Sequence, residues 1–207
     1  MTGLAEALPS AGSSALTPSR QIRANYDDET ITVYQAYPES IAAPAVATQR
    51  LTTSPSFKRG RMTWIKPSWC WMMYRAGYSH KDAGQARILA LKMRHADFIS
   101  LLRRAELTHG GVGGEGDVRV QWDPERGPWL EKRGYRSIQI GIPGGLSGRW
   151  AEEWVVGIED VTDRARELKR AVDEQDVTEG DLVSRGLVPV ETEFMVPDDV
   201  RERLGMS

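Results

Sequence analysis

FKRGRMTWIKPSWCWMMYRAGY, residues 57–78, is the stretch around which the chain is organised, because it combines basic and aromatic side chains without a single acidic one. Four cations fall within ten residues, and three tryptophans fall within eight. Proline suits the first helical position, because its φ is preset and the N–H that it lacks would have no partner within the helix there. Pro67 therefore predicts a helix that runs to about Ala76. Gly77 then supplies the left-handed residue that commonly ends a helix.

The predicted helix carries two kinds of side chain on different faces. Its apolar residues recur at i, i+3, i+4 and i+7 and predict a buried face: Trp69, Met72, Met73 and Ala76. Polar and aromatic side chains occupy its other faces beside a basic segment: Ser68, Trp71, Tyr74 and Arg75, next to Lys58, Arg59, Arg61 and Lys66. Cations hold phosphates and rings stack on bases, so this surface suits a dinucleotide or a nucleic acid. The alternative is an ordinary core helix with a solvated basic rim.

Composition predicts one soluble domain with a sizeable core. The chain has 207 residues, of which 40% are hydrophobic and 27% are charged, and these values are typical of globular proteins. No apolar run approaches the roughly 20 residues of a membrane-spanning helix. The single cysteine, Cys70, excludes a disulfide framework and favours a cytoplasmic location.

Charge is distributed unevenly along the chain. Residues 1–151 carry 20 Lys and Arg against 13 Asp and Glu, whereas residues 152–207 carry 7 against 16. The first part can therefore attract an anionic ligand, which the acidic end would repel.

The order of predicted elements indicates an α+β fold. Strands are predicted at residues 22–26, 30–37, 86–93, 118–122, 135–142 and 154–158. Helices are predicted after Pro38, Pro67, Asp97 and Thr162, with a short one from Ser147 to about Glu152. Pro44 would interrupt the first helix, which is predicted to be short, kinked or restarted. The late cluster of strands argues against a doubly wound parallel sheet. The predicted organisation is a disordered leader at 1–20, a single domain at 21–172 and an acidic C-terminal extension at 173–207 with a loosely attached hairpin at 182–190.

Few other side chains offer chemistry. The histidines, His80, His95 and His109, have no Cys or His at ligand spacing, so no metal site is predicted. The glycine run at 109–117 matches a dinucleotide fingerprint by letter, but it follows a helix and precedes a strand, so it is interpreted as a flexible loop. Glu152 and Glu153 stand at the entry to a predicted strand, where at most one of them can face a cleft. The alternative is a simple charged strand start.

Several long motifs resemble the family called domain of unknown function 4291. They are IRANYDDETITVYQAY, the stretch at 57–78, VRVQWDPER, YRSIQIG and EEWVVGIEDVT. The resemblance covers residues from about Gln21 to Val172. The glycine run at 109–117 looks short for that family, and the family name implies no activity.

A remoter resemblance links VYQAYPESIAAPA to the strand-then-helix opening of ADP-ribosyltransferases, which typically read Tyr-His-Gly-Thr before Ser-Pro-Glu. That resemblance implies a split antiparallel β-sandwich-like sheet with flanking helices, whose cleft holds NAD. It implies that Gln35 takes the place of a first-strand His, that Trp71 or Tyr74 stacks on the nicotinamide ring, and that Glu153 is the catalytic carboxylate. Residues expected at the cofactor are Gln35, Tyr37, Arg61, Lys66, Ser68, Trp71, Tyr74 and Arg75.

Two functions therefore follow as expectations. In the first, an NAD-dependent ADP-ribosyltransferase-like enzyme uses Glu153 to stabilise the positive charge that grows on the ribose. Its acceptor is a nucleic acid or a protein. In the second, a non-catalytic or nuclease-like RNA-binding module stacks unpaired bases on residues 57–78.

Overall fold

The computed structural model describes residues 18–107, 118–174 and 176–206. Within these residues the chain forms nine β-strands. The strands are β1 (Arg23–Ala24), β2 (Thr30–Tyr37), β3 (Thr63–Ile65), β4 (Arg87–Arg94), β5 (Ala105–Leu107), β6 (Val118–Arg126), β7 (Lys132–Ile142), β8 (Val155–Asp160) and β9 (Thr192–Glu193). The predicted strand at 30–37 coincides with β2, whose successive side chains point to opposite faces, so that Ile31 and Val33 lie in one core cluster and Tyr34 in the other.

Three sheets result from these strands. One has the order β2-β4-β8 and is fully antiparallel. A second has the order β3-β7-β6-β5, in which only the β5–β6 pair is parallel. The third is the short antiparallel pair β1-β9. The predicted α+β class is therefore confirmed as a mixed α+β single domain.

Seven α-helices lie in the same described residues. They are α1 (Glu39–Thr48), α2 (Trp69–Ala76), α3 (His95–Leu102), α4 (Gly144–Arg149), α5 (Thr162–Val172), α6 (Glu179–Ser184) and α7 (Asp198–Leu204). A π-helical turn, Trp150–Trp154, joins α4 to β8. None of the helices in the described ranges is long and apolar enough to cross a membrane.

The core has two parts. The larger part lies between the three-stranded and four-stranded sheets, because side chains such as Val33, Leu91 and Ile140 from both sheets share one buried cluster. The smaller part covers the other face of the three-stranded sheet with α2, α5 and α6. The apolar face predicted for α2 is buried there, since its four residues are at most 2% exposed.

The helix α1 continues through Pro44 rather than stopping or restarting there. Proline cannot donate to the carbonyl four residues earlier, which belongs to Ser40. The hydroxyl of Ser54 donates to that carbonyl at 2.7 Å instead. A side-chain donor from outside the helix therefore satisfies the oxygen that the proline leaves free.

Three other local predictions need correction. The strand predicted at 118–122 extends to Arg126, because a register shift between Pro124 and Arg126 lets the proline sit in the sheet. The Glu pair lies in the π-helical turn rather than in an extended chain. The hairpin predicted at 182–190 is replaced by α6, which Thr178 and Asp181 begin with a capping box.

The acidic segment after residue 172 contributes to the main core. Phe194, Val196, Val200 and Leu204 are each at most 6% exposed within the larger cluster. The indole Nε1 of Trp122 also donates to the carbonyl of Leu204 at 2.9 Å. The division at residue 172 stays a prediction. Residues 1–17 of the predicted leader and the whole glycine run at 109–117 lie outside the described residues.

Candidate functional site

The candidate site lies at the junction of the three-stranded and the four-stranded sheet. Tyr34 of β2 and Lys66, which follows β3, form an isolated bridge in which Tyr34 N donates to Lys66 O at 2.6 Å and Lys66 N donates to Tyr34 O at 3.3 Å. A cleft of about 710 Å³ opens beside this bridge. Cavities of this size commonly hold small-molecule ligands.

A hydrogen-bonded amide lies on the β2 side of the cleft. The hydroxyl of Tyr37 donates to Gln35 Oε1 at 2.6 Å, and Gln35 Nε2 donates to the hydroxyl of Thr63. Burial raises the pKa of Tyr37 well above its usual range, so the phenol stays a donor. The network fixes the amide plane of Gln35, which can exchange hydrogen bonds with a carboxamide or a ribose hydroxyl.

Four cations line the same cleft: Lys58, Arg61, Lys66 and Arg75. Among the described residues, none of the four has an acidic side chain within 4.0 Å, although Arg59, close to two of them, pairs with Glu152. Arg75 donates instead to the neutral amide of Gln85 at 3.4 Å. Unpaired cations that converge on a concave surface favour an anionic ligand.

The basic loop that presents two of these cations is held against α4. A Cβ on Gly144 would lie 2.1 Å from the carbonyl oxygen of Gly60, so only glycine permits this approach. The hydroxyl of Ser147 donates to the carbonyl of Arg59. Backbone contacts therefore position Lys58 and Arg61, whose side chains remain exposed at the rim.

Lys66 differs from the other three cations because it is only 4% exposed. Its Nζ lies 3.5 Å from the carbonyl oxygen of Trp64 and 5.1 Å from the centre of the Trp71 ring. Burial lowers the pKa of Lys66 to about 7; the charge of Arg75 acts in the same direction, while Asp123 opposes it. A substantial fraction of this amine is therefore uncharged near neutral pH.

The four-stranded sheet contributes a second amide. Gln139 lines the cleft, and its Nε2 donates to Gln121 Oε1 and to Asp123 Oδ2, both at 2.7 Å. Burial raises the pKa of Asp123, and the Lys66 charge opposes that rise. Asp123 is thus a half-buried carboxylate tied directly to the cleft wall.

The structure brings five of the predicted cofactor residues into this cleft: Gln35, Tyr37, Arg61, Lys66 and Arg75. Ser68 lies elsewhere, as the N-cap of α2, where it accepts from Trp71 N at 3.1 Å and donates to Glu125 Oε1 at 2.8 Å. Trp71 is buried against Lys66 rather than exposed for stacking. Tyr74 is 44% exposed and faces a neighbouring cavity.

Glu153 is not brought to the cleft lining. Its carboxylate accepts from Arg149 Nε at 2.9 Å on the same helical segment, and its side chain is 59% exposed. Its neighbour Glu152 is the carboxylate that reaches the basic loop, through Arg59. The catalytic role of Glu153 stays a prediction.

Sequence reasoning missed Thr63, Gln139 and Asp123. The signal for two of them was alternation, because Gln139 and Asp123 stand between apolar residues in SIQIG and VQWD and so face away from the core. No local signal indicated that Thr63 meets Gln35, since that contact depends on how the sheets pair.

The family model described as Domain of unknown function (DUF4291) matches residues 21–194. A search of curated proteins found no match. The matched range includes every residue of the cleft described above and extends beyond α5 to β9.

Proposed function

This chain belongs to the DUF4291 family, and we propose that it is an ADP-ribosyltransferase-like enzyme that binds NAD in the cleft between β2 and β3. The proposal rests on one observation: four cations, none of which has an acidic side chain within 4.0 Å among the described residues, line the same cleft as the fixed amide of Gln35. NAD offers a matching set of groups: a pyrophosphate for the cations, a carboxamide for Gln35, and flat rings that can stack on the aromatic side chains of the cleft lining, Phe57 and Trp64.

In this proposal the exposed guanidinium groups of Arg61 and Arg75 hold the pyrophosphate, because their planar donors match phosphate oxygens in pairs. Phe57 and Trp64, which line the cleft, offer ring faces for the bases. Trp71 and Tyr74 are less suited to that role than the resemblance implied, since one is buried and the other faces a different cavity.

The reaction breaks the bond between nicotinamide and ribose. Nicotinamide leaves with the bonding electron pair as a neutral molecule, and positive charge grows on the ribose carbon until an acceptor's lone pair forms the new bond and the acceptor loses a proton. A nearby ionised carboxylate stabilises this transition state. Asp123, which accepts a hydrogen bond from the cleft-lining Gln139, is one candidate for that role, and Glu153 is the candidate that the resemblance implies.

Binding is tested by titrating the protein with NAD and following tryptophan fluorescence or heat. We expect Arg61→Gln and Arg75→Gln each to weaken binding by roughly 10-fold or more, as is usual for a charged hydrogen bond. Arg149→Gln is the matched control, because it removes an exposed arginine outside the cleft and should leave affinity unchanged. Failure of the wild-type protein to bind NAD at millimolar concentration would refute the proposal.

Turnover is tested separately by measuring nicotinamide release with Asp123→Asn and Glu153→Gln. If Asp123 is the carboxylate at the ribose, only Asp123→Asn abolishes release while NAD affinity is kept. Loss of release in Glu153→Gln alone would instead return the role to Glu153. Equal release by both variants and the wild type would exclude both residues.

A nucleic-acid-binding module is the second candidate. Arg126 stacks over Tyr74 with its Cζ 3.7 Å from the ring centre, beside a cavity of about 540 Å³ lined by Arg75, His80 and Lys81. An exposed ring among cations suits single-stranded nucleic acid. This candidate would be favoured if the protein binds an oligonucleotide without binding NAD, and if that affinity falls steeply with salt. The oligonucleotide affinity should be lost in Tyr74→Ala and kept in Trp129→Ala. Trp129 is exposed to a similar extent, 40%.

A further inference from the structure

Lys66 is the buried member of the four cations that line the cleft, and the pyrophosphate of the proposed NAD site is assigned to the exposed Arg61 and Arg75. Its Nζ is enclosed by the Trp71 ring and the Trp64 carbonyl, and within the described residues no carboxylate lies within ion-pair distance of it. The charged groups that face it are Arg75 from α2 and Asp123 from β6. A buried lysine without an acidic partner is costly, so its position needs a reason other than stability.

The backbone of Lys66 is held in a fixed place. Lys66 is pinned to β2 through both hydrogen bonds of its bridge with Tyr34, and it follows directly on β3. Lys66 also lines the cleft. A partly dehydrated primary amine on a residue that lines a cleft has the properties of a nucleophile.

We propose that Lys66 is a nucleophilic amine that forms an imine with a phosphate-bearing aldehyde bound in the cleft. The inference rests on the anion-binding part of the function proposed above, but not on ADP-ribosyl transfer. The Nζ lone pair attacks the aldehyde carbon, and the carbonyl oxygen takes up a proton to give a carbinolamine. Loss of one water then leaves a carbon–nitrogen double bond to Nζ, with no oxidation or reduction.

The surroundings of Lys66 support each step. The depressed pKa provides uncharged amine near pH 7. The iminium form that follows is positively charged, and the Trp71 ring and Asp123 can stabilise that charge. Lys58, Arg61 and Arg75 line the same cleft and can hold the phosphate of the aldehyde. The substrate class is therefore a sugar phosphate with a free anomeric carbon, which reacts in its open-chain aldehyde form.

The test uses pyridoxal 5′-phosphate as the probe, followed by borohydride, which converts an imine into a stable amine. The wild-type protein is labelled briefly at pH 7 with less than one equivalent, and the modified peptides are mapped by mass spectrometry. We expect Lys66 to be labelled at least ~10-fold faster than Lys58, because an ordinary lysine is almost fully protonated at that pH. Inorganic pyrophosphate should slow labelling of Lys66, and Arg61→Gln should do the same.

Lys58 is the internal control, since it is exposed and lines the same cleft. A second aldehyde, ribose 5-phosphate with cyanoborohydride, should give the same site. Labelling of Lys58 as fast as Lys66, in protein whose circular dichroism is unchanged, would overturn the proposal. Imine formation without NAD binding would refute the NAD proposal alone, and NAD binding without imine formation would refute this inference alone.

Discussion

At the scale of single residues, Lys66 makes the stability of the protein depend on pH. Its pKa falls from 10.5 in the unfolded chain to about 7 in the folded one, so between these values the unfolded chain binds more protons. Stability therefore rises with pH through this window, and the full cost of burying the charge applies below pH 7. We expect Lys66→Met to increase the free energy of unfolding by a few kcal/mol at pH 6, and by much less at pH 10.

Urea unfolding at both pH values measures this difference. Lys58→Met is the matched control, because Lys58 is exposed and has no acidic partner among the described residues, so its replacement should shift stability equally at both pH values. A Lys66→Met variant that is less stable than the wild type at pH 6 would contradict the prediction, because it would show that the charged amine contributes favourably to the fold.

At the scale of secondary-structure elements, the packing of β7 requires glycine at position 141 but not at position 134. A Cβ on Gly141 would lie 2.9 Å from the Trp64 ring, whereas a Cβ on Gly134 of the same strand would meet nothing within 4 Å. We expect Gly141→Ala to lower the free energy of unfolding by about 1–3 kcal/mol, because the indole must move. Gly134→Ala should be neutral or slightly stabilising.

Thermal unfolding of the two glycine variants provides the comparison. Because Trp64 also lines the cleft, its displacement in Gly141→Ala should change tryptophan fluorescence, which Gly134→Ala should leave as in the wild type. Equal melting temperatures for both variants would show that Trp64 moves freely and does not form a fixed wall.

Element patterns predicted the fold better than they predicted the site. The strand Thr30–Tyr37 and the buried face of α2 follow from local periodicity, and both were confirmed. The strand β6 was cut short because Pro124 reads as a turn, and only its partner strand reveals the bulge that accommodates it. The sequence predicts an extended chain for Glu152 and Glu153 at the entry to a strand, but Trp150, Ala151 and Trp154 are buried with helical spacing and keep that turn coiled.

At the scale of the whole molecule, the cleft depends on contacts that sequence spacing does not encode. Gln35 meets Thr63 across 28 residues, and Gln139 reaches the same cleft from another sheet. The cations could be predicted, since Arg61, Lys66 and Arg75 stand in one short stretch. The amide and carboxylate partners could not, because they converge only when two sheets pack on one core.

The acidic C-terminal segment provides the last prediction at this scale. Phe194 is 4% exposed and contacts the rings of Tyr26, His95 and Phe98 at 5.0–5.6 Å between centres. We expect Phe194→Ala to lower the free energy of unfolding by about 3–5 kcal/mol, and truncation after Val172 to abolish cooperative unfolding, because both leave the main core open to water. Its neighbour Met195 is 66% exposed, so Met195→Ala should change little. Calorimetry distinguishes these outcomes: a cooperative transition at the wild-type temperature in the truncated chain would show that residues 21–172 fold without the segment, and would support a domain boundary at 172.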